Sequence, residues 1–131
     1  MVPEEHLLAR FFTASKHDRY VEMISTPKKR AKFLAELDHF KSLDPRFLVS
    51  IPPNKQDPAH IAKTLEQKGA PPRCWLTSSW KDLDGKQMPL LEALQKILGS
   101  GMGTFLTCIP GKLAFFEGEE MRERYILERR N

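Results

Sequence analysis

The chain has 131 residues, of which 40% are hydrophobic and 29% are charged, and its formal net charge is +4. This length and composition are typical of one globular domain and argue against a disordered or fibrous chain. We therefore expect residues 1–131 to fold as a single domain, with a helical lead-in over residues 1–45 packed on an α/β core over residues 46–131.

Membrane insertion and secretion are both disfavoured by the sequence. Its apolar runs fall short of the roughly 18–20 residues that cross a bilayer, and its first residues lack the apolar segment of a signal peptide. Cys74 and Cys108 each lie in an apolar run, which predicts two buried, reduced thiols, with a disulfide between them as the alternative. We expect a cytoplasmic protein without a membrane partner.

The positive charge is spread evenly along the sequence. Residues 1–50 and residues 51–131 each carry a surplus of two cations. A nucleic-acid-binding protein usually concentrates its cations on one face or arm. The sequence therefore permits an anionic partner but supports a nucleic acid only weakly.

Three helices are predicted in the lead-in. Apolar side chains recur at helical spacing in residues 3–13 and again in residues 16–24. Thr26 followed by Pro27 is a typical helix start, because threonine caps the first turn and proline fits its first position. This third helix is predicted to continue to residue 41.

The rest of the chain alternates between strand and helix patterns. Strands are predicted at 47–51, 74–77, 104–109, 112–117 and 124–128, and helices at 58–68 and 89–98. A strand, a helix and a strand with short connections usually form parallel neighbours. Three helices followed by β-α-β-α-β-β-β therefore predict an α/β fold with a mixed five-stranded sheet and helices packed on it; α+β is the alternative.

A candidate ligand site follows from this topology, because ligands bind beyond the carboxyl ends of parallel strands. The connection over residues 78–88 is long for its type and carries a tryptophan. If three strands are parallel, it meets the segments that follow the first and third strands. The ligand-binding residues predicted on this basis are Lys55, Ser78, Ser79, Trp80, Asp82 and Lys112.

A candidate anion site lies at the start of the third helix. Lys28, Lys29 and Arg30 place positive charge where the helix dipole already disfavours it. Backbone N–H groups at a helix start bind anions. The alternative is a solvated basic turn.

Recognised catalytic and metal-binding patterns are missing from the sequence. The four histidines fit no zinc spacing, and we expect neither a metal nor a cofactor. The glycine-rich residues 99–104 run from a helix into a strand, which is the reverse of a phosphate-binding loop. We interpret them as a helix stop followed by a flexible turn, whose mobility is compatible with a gating or binding role.

The function expected from these features is binding. We expect a non-catalytic binding or regulatory domain for a protein or an anionic, phosphate-bearing ligand, with self-association as a further possibility. The alternative is a small enzyme that uses Ser79, Asp82 or Asp84 together with Lys112 at the carboxyl ends of the strands. The sequence does not identify the ligand.

Overall fold

The computed structural model describes residues 3–120 and 123–130. Within them, five α-helices surround one six-stranded sheet. The helices are α1 (Pro3–Phe11), α2 (His17–Met23), α3 (Pro27–Glu36), α4 (Pro58–Gln67) and α5 (Leu90–Ile97). The strands are β1 (Leu48–Ser50), β2 (Arg73–Ser78), β3 (Gln87–Pro89), β4 (Thr104–Ile109), β5 (Leu113–Glu117) and β6 (Arg124–Glu128).

The sheet has the order β1-β6-β5-β4-β2-β3, and every neighbouring pair is antiparallel. The three C-terminal strands, β4, β5 and β6, form a meander at its centre. The two edge strands, β1 and β3, have only three residues each. Short edge strands limit the unpaired backbone that another chain could extend.

Helices cover both faces of the sheet, so that each face has its own hydrophobic core. On one face, α4 and α5 contribute Ile61, Leu65, Leu94 and Ile97 to a core with Leu76, Leu106 and Phe115. On the other face, α1, α2 and α3 contribute Leu7, Phe11, Tyr20 and Phe33 to a core with Phe105 and Phe116. Because β4 and β5 are buried on both sides, their sequences are apolar almost throughout.

The predicted combination of helices with a sheet is confirmed, but the predicted mixed five-stranded sheet is wrong. β1 and β2 run in the same direction, yet β6, β5 and β4 lie between them. The sequence does have the strand–helix–strand pattern, but the meander of β4, β5 and β6 lies between β1 and β2, which were expected to be adjacent parallel strands. All pairings are therefore antiparallel.

The strand β3 was missed, and it reverses the direction predicted for β4. After β2, the chain turns back and pairs Gln87 with Trp75 before α5 begins. The helix α5 therefore starts from a returning strand, and β4 runs antiparallel to β2, pairing Thr104 with Ser78. Three residues that end in proline are too short for a strand pattern to be read from sequence.

Local signals placed the helix starts correctly. The Thr26 side chain accepts a hydrogen bond from the Lys29 N–H, and the Asp57 side chain accepts one from the His60 N–H. The helix α3 ends at Glu36, five residues earlier than predicted, and continues as a 3₁₀ turn over Leu37–His39. None of the described helices combines the length and apolar character needed to cross a lipid bilayer.

Candidate functional site

The tryptophan-bearing connection meets the glycine-rich segment at one end of the sheet. Because Ser78 at the end of β2 pairs with Thr104 at the start of β4, the residues after Ser78 lie beside the residues before Thr104. The Ser79 N–H donates to the Gly103 carbonyl at 3.0 Å. We call this the Trp80 end of the sheet. The antiparallel pairing thus brings together two segments that the sequence analysis treated separately.

An open groove of about 500 Å³ lies between these two segments. Its lining residues are Trp80, Lys96, Leu98, Gly99, Ser100 and Met102. The Trp80 and Leu98 side chains also pack against the core, and each is half-buried. The groove therefore combines an aromatic ring, a thioether and an aliphatic side chain with one exposed ammonium group.

The Trp80 connection is held by hydrogen bonds from its own polar side chains. Ser78 is fully buried; its hydroxyl accepts from the Trp80 N–H at 3.0 Å and lies 2.7 Å from the Thr104 hydroxyl. The Ser79 hydroxyl donates to Asp38 Oδ1 at 2.7 Å. Both serines were predicted to contact ligand, and in the structure their hydroxyls have protein partners.

Arg30 ties this connection to the N-terminal helices. Its guanidinium donates to both oxygens of Glu4 at 2.6 Å and to Asp84 Oδ1 at 2.8 Å. Glu4 also accepts from the Thr77 hydroxyl, and Asp84 from the Ser78 N–H. Burial lowers the pKa of Arg30, but the hydrogen bonds to Glu4 and Asp84 outweigh it and raise the pKa above its usual value. Arg30 is therefore permanently charged and anchors the connection.

The glycine-rich segment is also anchored at both of its ends. At one end, the Gly99 N–H donates to Glu117 Oε2 at 2.8 Å, and Arg124 pairs with the same carboxylate. At the other end, the Gly103 N–H donates to Asp38 Oδ1 at 2.7 Å. A turn with fixed ends gives the groove a defined wall.

Two of the predicted ligand-binding residues lie far from Trp80. Lys112 follows β4, at the opposite end of a six-residue strand that spans about 17–20 Å. Lys55 follows β1, which four inter-strand spacings of about 4.8 Å separate from β2. The expected convergence of three segments is therefore wrong, because it depended on β4 running parallel to β2. Asp82 is exposed and lies in the Trp80 connection itself.

The three cations at the start of α3 do not act as one group in the structure. Arg30 binds two carboxylates, as described above, and Lys29 pairs with Glu22 at 3.0 Å. Lys28 is exposed to solvent. Carboxylates therefore offset two of the three cations at this helix start.

The two cysteines are neighbours. Register places Cys74 on β2 opposite Cys108 on β4, one step beyond the pair of Trp75 with Thr107. Both thiols are buried and free; Cys74 donates to the Pro71 carbonyl at 3.8 Å and Cys108 donates to the Leu106 carbonyl at 3.9 Å. The interaction between the two neighbouring thiols raises the pKa of Cys108 well above its usual value, with burial adding to the effect, and it lowers the pKa of Cys74. They lie on the α4–α5 side of the sheet, within the core.

Catalytic groups do not assemble as the enzyme alternative requires. Ser79 donates to Asp38 and Asp84 binds Arg30, while Lys112 lies at the other end of the sheet. Across residues 3–120 and 123–130, no three His, Cys, Asp or Glu side chains are grouped so that they could hold a metal ion. The structure therefore separates Lys112 from Ser79, Asp82 and Asp84.

Sequence reasoning missed three residues of the groove: Lys96, Leu98 and Met102. Leu98 is the last residue of the helix predicted at 89–98, and Met102 lies within the glycine-rich residues 99–104 that were interpreted as a turn. The available signal was an apolar residue placed among glycines, which a purely flexible turn does not need. Strand pairing was required to place it beside Trp80.

The protein belongs to the architectural class of antiparallel sheets with helices on both faces, and it has an aromatic groove at one end of the sheet. Comparison of the chain with protein-family models, with curated proteins and with solved structures finds no match.

Proposed function

We propose that the protein is a non-catalytic binding domain whose groove takes an acidic peptide segment with an apolar or aromatic anchor residue. The observation that carries this proposal is the Trp80 ring, which lines an open apolar groove while the polar side chains around it hold its backbone in place. A preorganised aromatic side chain binds with a low entropic cost, and such residues dominate binding energy at interfaces.

The chemistry of the lining supports this choice of ligand. Met102 and Leu98 offer an adaptable apolar surface beside the indole ring, and methionine is frequent where varied apolar side chains are bound. The exposed Lys96 ammonium at the rim favours a carboxylate on the same ligand. A peptide whose apolar anchor residue is flanked by acidic residues would contact both the apolar lining and the Lys96 ammonium.

Replacing Trp80 with alanine should abolish most of this binding. The probe is a fluorescein-labelled hexapeptide of alternating phenylalanine and glutamate, and binding is measured by fluorescence anisotropy. We expect Trp80→Ala to weaken the affinity by about ten-fold or more, which corresponds to about 1.4 kcal/mol. Lys96→Gln should produce a smaller loss and a weaker dependence on salt.

The matched control is Leu91→Ala, which truncates an apolar side chain that is 43% exposed and lies outside the groove. Circular dichroism establishes that each variant is folded. Equal affinities for the native protein, Trp80→Ala and Leu91→Ala would refute the proposal. A peptide in which lysine replaces glutamate should bind more weakly than the acidic one.

A further inference from the structure

A second surface gathers cations at the opposite end of the sheet, where β5 begins and β6 ends. The Arg129 N–H donates to the Lys112 carbonyl at 3.0 Å, and Arg129 Nη1 donates to the Arg10 carbonyl at 3.1 Å. Arg10 in turn donates from Nε to the Gly111 carbonyl at 3.1 Å. Arg10, Lys112 and Arg129, from α1, the β4–β5 turn and the segment after β6, are therefore neighbours in the fold.

Phe47 extends this surface towards β1. The Arg129 guanidinium lies 4.4 Å from the centre of the Phe47 ring, and the Arg46 guanidinium lies 5.1 Å from it. Arg46 also pairs with Asp44 at 2.7 Å. The ring restrains both guanidinium groups, which lowers the entropy that each would lose on binding a ligand.

The remaining members come from the end of α4 and the end of β6. Lys68 and Arg130 share the Glu128 carboxylate at 2.7 Å and 2.9 Å, and Arg130 also donates to the Lys68 carbonyl. The hydrogen bond from Lys68, followed by the one from Arg130, lowers the pKa of Glu128. One carboxylate thus holds two cations in place.

These contacts define one basic surface. Its members are Arg10, Arg46, Lys68, Lys112, Arg129 and Arg130, with the carboxylates of Asp44 and Glu128. Six cations and two carboxylates of the described residues therefore lie together at this end of the sheet, although they are far apart in the sequence.

We propose that the basic surface binds the phosphate backbone of a nucleic acid. Four of its six cations are arginines, whose planar guanidinium groups bind phosphate through paired hydrogen bonds. Backbone contacts of this kind supply most of the affinity of sequence-independent nucleic-acid binding. A protein partner fits less well, because interface centres are usually depleted of charge.

The test is the binding of fluorescein-labelled 20-mer single-stranded RNA and DNA and of duplex DNA, each titrated at several salt concentrations. We expect Kd values on the order of 10⁻⁴–10⁻⁶ M that rise steeply with salt. Lys112→Gln/Arg130→Gln should weaken single-strand binding by at least about five-fold at low salt. It should also reduce the slope of log K against log salt by about 1.4, or 0.7 for each lost contact.

The control is Lys32→Gln/Lys86→Gln, which removes two exposed cations outside the basic surface and gives the same net charge. If this control weakens binding as much as the test variant does, net charge alone explains the result and the proposal is wrong. Binding of polyglutamate as tightly as RNA at the same salt would also overturn it, in favour of an acidic protein. The relative affinities for single-stranded RNA, single-stranded DNA and duplex DNA identify which type of nucleic acid the basic surface binds.

Discussion

Replacing Arg124 with leucine should destabilise the protein by about 3–5 kcal/mol. Arg124 and Glu117 face each other on β6 and β5, and their side chains are only 6% and 2% exposed. Arg124 donates to the two carboxylate oxygens at 2.5 Å and 3.2 Å. The variant leaves a buried carboxylate with the Gly99 N–H as its remaining partner in the described contacts. Urea unfolding followed by circular dichroism at pH 7 measures the loss.

The double variant Glu117→Met/Arg124→Leu distinguishes the cost of leaving a buried carboxylate unpaired from the contribution of the ion pair itself. Replacing both members with apolar side chains removes the unpaired charge, so we expect much of the lost stability to return. A loss below about 1 kcal/mol for Arg124→Leu alone would show that the pair behaves like an exposed one. Because Glu117 also holds Gly99, the single variant should loosen the groove wall and reduce peptide binding.

The second large effect is expected for Gly103→Ala. A Cβ atom at this position would lie 2.2 Å from both the carbonyl carbon and the carbonyl oxygen of Leu37, and 2.6 Å from the Asp38 nitrogen. These are backbone atoms of the 3₁₀ turn after α3, so a side-chain rotation cannot relieve the clash. We expect destabilisation of about 1–3 kcal/mol or more, with a matching fall in Tm.

Gly101→Ala is the matched control for this substitution. Gly101 has a φ of 75°, but an added Cβ atom there meets no heavy atom within 4 Å. Its cost is therefore the left-handed backbone conformation alone, about 1–2 kcal/mol. If Gly101→Ala proves more damaging than Gly103→Ala, the close approach of Gly103 to Leu37 does not limit stability.

Several elements were predictable because their signals are local. The caps of α3 and α4 lie within three residues of the N–H groups they bind. The strands β4, β5 and β6 are rich in apolar residues and are bounded by glycine or charged turns. Propensity, capping and turn chemistry depend on near neighbours in the chain.

The candidate site was only partly predictable, because its contacts are distant in sequence. The Trp80 connection was identified from its length and its tryptophan. The hydrogen bonds that hold it and the neighbouring glycine-rich segment were not predicted, because Arg30 lies 54 residues from Asp84 and Asp38 lies 65 residues from Gly103. No spacing rule connects such residues before the strand order is known.

The sequence by itself determined the five helices and five of the six strands, which side chains are apolar, and how many charges the chain carries. The tertiary structure alone decided the strand order and direction, and with them which loops meet. It placed Trp80 and Met102 in the lining of one groove, separated both from Lys112, and brought six cations together where β5 begins and β6 ends. The physical reason is that strand pairing and charge clustering depend on contacts between distant residues, whereas secondary structure depends largely on adjacent ones.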